Sequence, residues 1–61
     1  MNEKFIKKYM YDHDMSIIYN VVDDRYKVYQ KGKLLCQATS YQYCLDYIIE
    51  VIIHDKYSNN R

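Results

Sequence analysis

Two cysteines are the residues of this 61-residue chain best suited to covalent or metal chemistry. They bracket the nonapeptide CQATSYQYC as Cys36 and Cys44. A zinc site usually needs four nitrogen or sulfur ligands, and the chain offers these two thiols and two distant histidines. A nucleophile needs a nearby base and an activating setting, whereas Cys44 falls about one turn inside a predicted helix. We therefore expect no metal, no cofactor and two small buried apolar side chains, with a disulfide formed on oxidation as the alternative.

Carboxylates beside a histidine form a second candidate group, at Asp12-His13-Asp14 and Asp23-Asp24. Such side chains can bind a cation or serve as general acid and base. The sequence lacks the spaced oxygen ligands and glycine of a calcium loop, a glycine-rich phosphate loop and a Ser-His-Asp arrangement. A chain this short also has little room for a concave substrate pocket. We interpret the acids as turn residues and predict that the protein is not an enzyme.

A basic segment without acids runs from residue 25 to residue 45. Its basic residues are Arg25, Lys27, Lys31 and Lys33, and they are interleaved with Tyr26 and Tyr29. Sheets can enter the major groove of DNA, and exposed tyrosines can stack on bases. However, the formal net charge of the chain is only +1, which is low for a nucleic-acid-binding domain. Lysines on hairpins also maintain solubility or form the rim of a protein interface, so nucleic-acid binding is our second hypothesis.

Hydrophobic spacing predicts the elements that carry these residues. The chain has no proline, one glycine and no linker, so residues 1–61 are predicted to form one small domain. A cap at Asn2 and apolar residues at helical spacing predict a helix over 2–11. Residues rich in β-branched and aromatic side chains predict three strands over 16–38, the first covering 17–22. The turns are predicted at Asp23-Asp24 and at Gly32, where a positive φ closes a tight hairpin.

A second amphipathic helix is predicted over 40–54, and the polar tail 57–61 is predicted to fray. Thr39 or Ser40 can cap this helix. The predicted fold is therefore α+β, with a short N-terminal helix and a three-stranded antiparallel meander packed by the C-terminal helix. Strict alternation turns Tyr26, Val28, Leu34, Cys36 and Ala38 toward that helix, and Ile18, Lys27, Tyr29, Leu35 and Gln37 toward the other face. The second face is too apolar for water alone, so we expect the N-terminal helix or another chain to cover it.

The sequence also gives an expectation for the compartment. Its N-terminus lacks the apolar run of a signal peptide, and no stretch approaches the roughly 20 apolar residues of a membrane span. Two cysteines are also few for a secreted protein of this size. We therefore expect a cytoplasmic protein with reduced thiols and no membrane partner.

Residues 26–48, YKVYQKGKLLCQATSYQYCLDYI, resemble a ββα unit of small accessory proteins from phages and mobile elements. In that unit a Tyr-x-Val-Tyr strand meets a Gly-Lys hairpin and then a Ser-capped amphipathic helix. The resemblance implies a non-catalytic inhibitor of the anti-CRISPR or host-takeover type, which blocks a host defence or replication protein in the host cytoplasm. All of the matching positions are structural, so no binding residue is transferred.

We predict a protein-binding surface on the outer sheet face and hairpin, extended by tyrosines on the helix flank. The predicted contact residues are Lys27, Tyr29, Lys31, Lys33, Leu35, Tyr43 and Tyr47. Large aromatic residues are suitable anchors of an interface, and lysines are suitable for a rim that steers encounter. The alternatives are a DNA- or RNA-binding module that uses the same hairpin and a structural dimerisation domain, and a homodimer is compatible with the leading hypothesis.

Overall fold

The computed structural model describes residues 2–58, which form two helices and one sheet. In chain order the elements are α1 (Glu3–Asp12), β1 (Met15–Asn20), β2 (Arg25–Gln30), β3 (Lys33–Ala38) and α2 (Tyr41–Ser58). The strands lie in the order β1-β2-β3, and neighbouring strands pair antiparallel. The predicted α+β meander with a helix at each end is confirmed.

Helix α1 begins where the sequence predicts, because Asn2 caps it. The Asn2 side-chain oxygen accepts a hydrogen bond from the backbone N–H of Phe5 at 2.8 Å. This bond satisfies one of the backbone donors that a helix start leaves unpaired. The helix ends at Asp12, and it is followed by the left-handed residue Asp14 (φ 54°), whose N–H donates to the carbonyl of Tyr11 at 3.2 Å.

The turn between β1 and β2 begins earlier than the sequence predicts. The side-chain oxygen of Asn20 accepts from the backbone N–H of Val22 at 2.9 Å and of Asp23 at 3.4 Å. Val21 and Val22 therefore lie in the turn, and Val22 is 96% exposed. The prediction of a strand through residue 22 is wrong, because local side-chain hydrogen bonding overrides the strand preference of valine.

The turn between β2 and β3 has the two central residues Lys31 (φ 51°) and Gly32 (φ 81°). Two positive φ angles are typical of the type I′ turn, whose twist matches that of the flanking strands. Gly32 is suited to its position because a side chain at this φ is strained, although the space around it is open. The predicted hairpin at Gly32 is confirmed.

A β-bulge in β3 reverses the predicted orientation of two leucines. Val28 pairs with Cys36, but Tyr29 pairs with Leu34, so Leu35 is one extra residue on β3. Leu34 therefore lies on the same face as Tyr29 and is 44% exposed, whereas Leu35 packs against the core. The prediction that Leu34 faces the helix and Leu35 faces outward is wrong, because strict alternation does not account for an inserted residue.

One hydrophobic core joins all five elements on a single side of the sheet. Its buried residues are Ile6, Met15, Val28, Ala38, Cys44, Leu45, Ile48 and Ile52. Ile6 of α1 belongs to the same cluster as the α2 residues, so both helices cover the same face. Of the two covers expected for the opposite face, the N-terminal helix is therefore excluded, and that face is open among the described residues.

Helix α2 is capped by Ser40, whose hydroxyl oxygen accepts from the backbone N–H of Tyr43 at 3.1 Å. The helix continues through Ser58, beyond the predicted end at residue 54. Residues 57 and 58 of the predicted frayed tail are thus helical, and residues 59–61 lie outside the described part. Tyr26 connects the helix start to the sheet, since its ring centroid lies 5.9 Å from that of Tyr41 and 5.0 Å from that of Tyr19.

Candidate functional site

The face of the sheet that points away from both helices is the main candidate surface. We call it the outer sheet face and define it by the residues that the register places there: Ser16, Ile18, Asn20, Arg25, Lys27, Tyr29, Leu34 and Gln37. In each cross-strand row the side chains share one face, so Tyr29 on the central strand lies between Ser16 and Leu34.

The outer sheet face has an apolar centre. Ile18 is 51% exposed on β1, Leu34 is exposed on β3, and the half-buried Tyr29 lies between these two edge strands. Ile18 and Tyr29 are diagonal neighbours in the register, a spacing that aromatic side chains can bridge. A tyrosine in this setting offers a broad apolar ring and a hydroxyl group that can bond to a partner.

Lys27 lies on this face, as predicted, but its charge is paired. Its Nζ lies 2.8 Å from a carboxylate oxygen of Asp23, and its side chain is only 16% exposed. The hydrogen bond that Lys27 donates to Asp23 raises the pKa of the lysine and lowers the pKa of the carboxyl group. Lys27 is therefore held against the sheet, and its ammonium group is less available to a phosphate or a distant acid.

The other predicted hairpin residues point in different directions. Lys31 lies exposed in the turn. Lys33 pairs with Gln30, which lines a groove on the helix side, so the register assigns Lys33 to the helix side as well. Leu35 packs against the core, as described above. The predicted position of Leu35 on the outer sheet face is wrong, because the bulge shifts β3 by one residue, and Lys33 belongs to the hairpin but not to that face.

The two tyrosines predicted on the helix flank differ in their surroundings. Tyr43 is exposed on α2, whereas Tyr47 is half-buried and packs against the core. Both belong to the helix layer, on the opposite side of the sheet from Tyr29.

The seven predicted residues thus do not form one continuous surface, and Lys27 and Tyr29 are the ones that the register places on the outer sheet face. Leu34 was missed, and the signal for it was the pair of adjacent leucines in an otherwise alternating strand.

The cysteines are placed for packing. Cys44 is fully buried and its thiol donates a long hydrogen bond of 3.7 Å to the carbonyl of Tyr26, whereas Cys36 is half-buried and both thiols are free. Burial raises the pKa of the Cys44 thiol, and the nearby Cys36 adds to the effect. A thiol with a raised pKa is a poor nucleophile at neutral pH. The expected burial is confirmed for Cys44.

An open groove of about 510 Å³ separates α2 from the end of α1. It is lined in part by Tyr9, His13, Tyr47, Glu50 and His54. The Tyr9 ring stacks on His13 at 3.9 Å, and its hydroxyl donates to Asp55 at 3.5 Å. Burial raises the pKa of Tyr9, and the Asp55 carboxylate adds to the effect, which makes Tyr9 a weaker acid. The Tyr9–Asp55 hydrogen bond joins α1 to α2. Across residues 2–58 no three histidine, cysteine or acidic side chains are grouped to hold a metal ion.

Within residues 2–58, neither helix combines the length and hydropathy needed to cross a bilayer. Comparison of the chain with known protein families, curated proteins and solved structures finds no match.

Proposed function

We propose that this protein is a small non-catalytic protein-binding module and that the outer sheet face is its contact surface. One observation carries the proposal: both helices pack on one side of the sheet and leave Ile18, Tyr29 and Leu34 together on the open side. An antiparallel sheet with one face in water is normally polar on that face. An aromatic residue flanked by two exposed aliphatic side chains is instead typical of the centre of a protein interface.

The charges around this centre indicate the kind of partner. Arg25 lies exposed at one end of the outer sheet face, and Lys31 lies in the turn at the other end. These cations suit a partner whose apolar patch is surrounded by acidic groups, because complementary charges steer encounter. A module without chemistry of its own acts by occupying its partner's surface. Such blocking agrees with the resemblance to phage-type inhibitors, which would act in a host cytoplasm.

DNA or RNA binding is the weaker alternative. A basic groove that follows a nucleic-acid backbone needs its cations on one side of the molecule. Here Lys27 is paired with Asp23, and Lys33 lies on the helix side. The basic segment of the sequence is therefore divided between two faces, which favours a protein partner.

The test is differential affinity capture from a host lysate with the intact chain as bait. Tyr29→Ala and Ile18→Thr remove the apolar centre, and Tyr11→Ala is the matched control because Tyr11 is strongly exposed on α1 and away from this face. We expect one protein to be retained by the wild type and the control, with at least about tenfold weaker binding to Tyr29→Ala. Circular dichroism must show an intact fold for each variant.

Two results would contradict the proposal. Equal capture by Tyr29→Ala, Ile18→Thr and the wild type would exclude the outer sheet face as the contact surface. A gel-shift assay at about 50 mM and about 200 mM salt tests the alternative, because phosphate contacts make binding steeply salt-dependent. Tight, salt-sensitive binding of DNA or RNA, without a retained protein, would favour the nucleic-acid module.

A further inference from the structure

The free edge of β1 is the least protected backbone of the sheet. The N–H of Lys31 donates to the carbonyl of Asp14 at 3.0 Å, which continues the β1–β2 ladder and fixes which residues of β1 bond to β2. By the alternation of an antiparallel ladder, the backbone N–H and C=O groups of Met15, Ile17 and Tyr19 point away from β2. No described strand, helix or side chain pairs with these groups, although α1 packs beside β1 on the core side.

The two edges of the sheet differ in how they resist pairing with another strand. Natural sheets protect edges with lysine, proline, a bulge or a covering segment. Strand β3 begins with Lys33 and carries the bulge at Leu35. Strand β1, with the sequence MSIIYN, has no charge, no proline and a regular register. The β1 edge is therefore a ready template for strand addition.

We propose that β1 pairs antiparallel with β1 of a second copy of this chain and forms a symmetric dimer with one six-stranded sheet. A two-fold axis at Ile17 sets Ile17 opposite its own copy and Met15 opposite Tyr19 of the other copy. On the outer face, Ser16 then lies beside the second copy's Ile18. The strand is thus self-complementary, as a two-fold interface requires, and no like charges face each other along it.

The small size of the outer sheet face also favours the pairing of β1 with a second copy, which extends this face. Three strands of six residues present about 20 Å by about 15 Å, or about 300 Å². A stable protein interface buries about 800 Å² on each partner. Strand pairing doubles the continuous face to about 600 Å² and places the two Ile18 side chains close to its centre. The dimer itself rests on the β1 edge and does not depend on the proposed function.

The first test is amide hydrogen exchange by NMR on the full chain at about 20 µM and about 1 mM. In a monomer the amides of Ile17 and Tyr19 are open to water, as is that of Gln37 on the β3 edge. We expect the amides of Ile17 and Tyr19 to exchange at least about fivefold more slowly in the concentrated sample, with Gln37 unchanged. Sedimentation on the same samples gives the mass of the species.

The second test changes one edge N–H without changing a side chain. A synthetic chain with N-methyl-Ile17 loses two hydrogen bonds in each symmetric dimer, and a chain with N-methyl-Gln37 is the matched control on the other edge. We expect the dimer dissociation constant to rise about tenfold or more for the first and to stay within about twofold for the second. Ser16→Lys, compared with Gln37→Lys, provides the same contrast in a recombinant chain, since both positions are exposed on edge strands of the outer face.

The outcomes separate the dimer from the proposed function. A monomer at about 1 mM, or a dimer that N-methyl-Ile17 and Ser16→Lys leave unchanged, would overturn the strand-paired dimer. Slower exchange at the Gln37 amide, with no change at the Ile17 amide, would place the interface on β3 and would equally overturn the proposed β1–β1 dimer. A monomer that still loses its protein partner through Tyr29→Ala would leave the outer sheet face as the contact surface.

Discussion

Ile48 lies at the centre of the core, and Ile48→Ala should remove a large part of the stability of the fold. The side chain is 0% exposed, and Ile53, one and a half turns later on the same helix, is 42% exposed. The pair therefore compares one residue type on one element in two environments.

The magnitude follows from the atoms removed. Truncation of isoleucine to alanine deletes three carbons, worth about 2.4 kcal/mol of transfer free energy at about 0.8 kcal/mol each. The cavity that remains raises the loss at Ile48 to about 3–4 kcal/mol. At about 0.05–0.15 kcal/mol per residue, the whole 61-residue chain has about 3–9 kcal/mol of unfolding free energy. Ile53→Ala leaves no enclosed cavity and should cost about 1 kcal/mol or less.

The assay is urea unfolding followed by far-ultraviolet circular dichroism, at two protein concentrations because association adds to apparent stability. If Ile48→Ala does not fold, Ile48→Val should still lower the unfolding free energy by about 1 kcal/mol. Equal midpoints for Ile48→Ala and Ile53→Ala would refute the placement of the core between α2 and the sheet.

Two further predictions concern the nonapeptide that joins β3 to α2. Ser40→Ala should lower the unfolding free energy by about 1 kcal/mol, because the Tyr43 N–H loses its cap. Thr39→Ala should change the unfolding free energy by less than about 0.5 kcal/mol. Urea unfolding measures both variants, and a larger loss for Thr39→Ala than for Ser40→Ala would contradict Ser40 as the cap. Burial raises the pKa of Cys44, so the folded protein keeps a thiol proton that the unfolded chain loses. This contribution of Cys44 to the unfolding free energy is present in full below the unfolded thiol's pKa of about 8.5 and is lost as the pH rises through the folded-state pKa. We expect Cys44→Ala to remove part of this alkaline loss and native Cys44 to react with a thiol reagent more slowly than Cys36; equal labelling rates would contradict its burial.

Local signals predicted most of the fold. The antiparallel meander, the turn at Gly32 and the cap at Asn2 follow from residue types a few positions apart, and Ser40 is one of the two caps that the sequence allowed for α2. The end of β1 could not be predicted in this way, because Asn20 competes for the backbone N–H of Val22, and a propensity scale does not include that bond. The side of the sheet on which α1 packs could not be predicted either, since its apolar face fits either side.

The site was less predictable than the fold because one inserted residue changes which side chains share a face. The sequence indicated an apolar outer face, covered by either the N-terminal helix or another chain, and correctly assigned Ile18, Lys27 and Tyr29 to it. The sequence-based prediction placed Leu35 on this face in place of Leu34, since the bulge depends on how β3 pairs and not on local preference. The pairing of Lys27 with Asp23 was also missed, as it depends on how the turn brings residues 23 and 27 together.

The contacts of Tyr26 with Tyr19 and Tyr41 give the protein a built-in optical reporter. The chain has nine tyrosines and no tryptophan, so tyrosine rings supply most of its near-ultraviolet circular dichroism signal. Tyr26 couples a ring of β1 to a ring at the first turn of α2, and the Tyr19 hydroxyl donates to the Asp24 carboxylate in the adjoining turn. Seating of α2 on the sheet thus contributes, through this junction, to the near-ultraviolet signal of the tyrosines, which needs no label and is separate from the far-ultraviolet signal of the backbone.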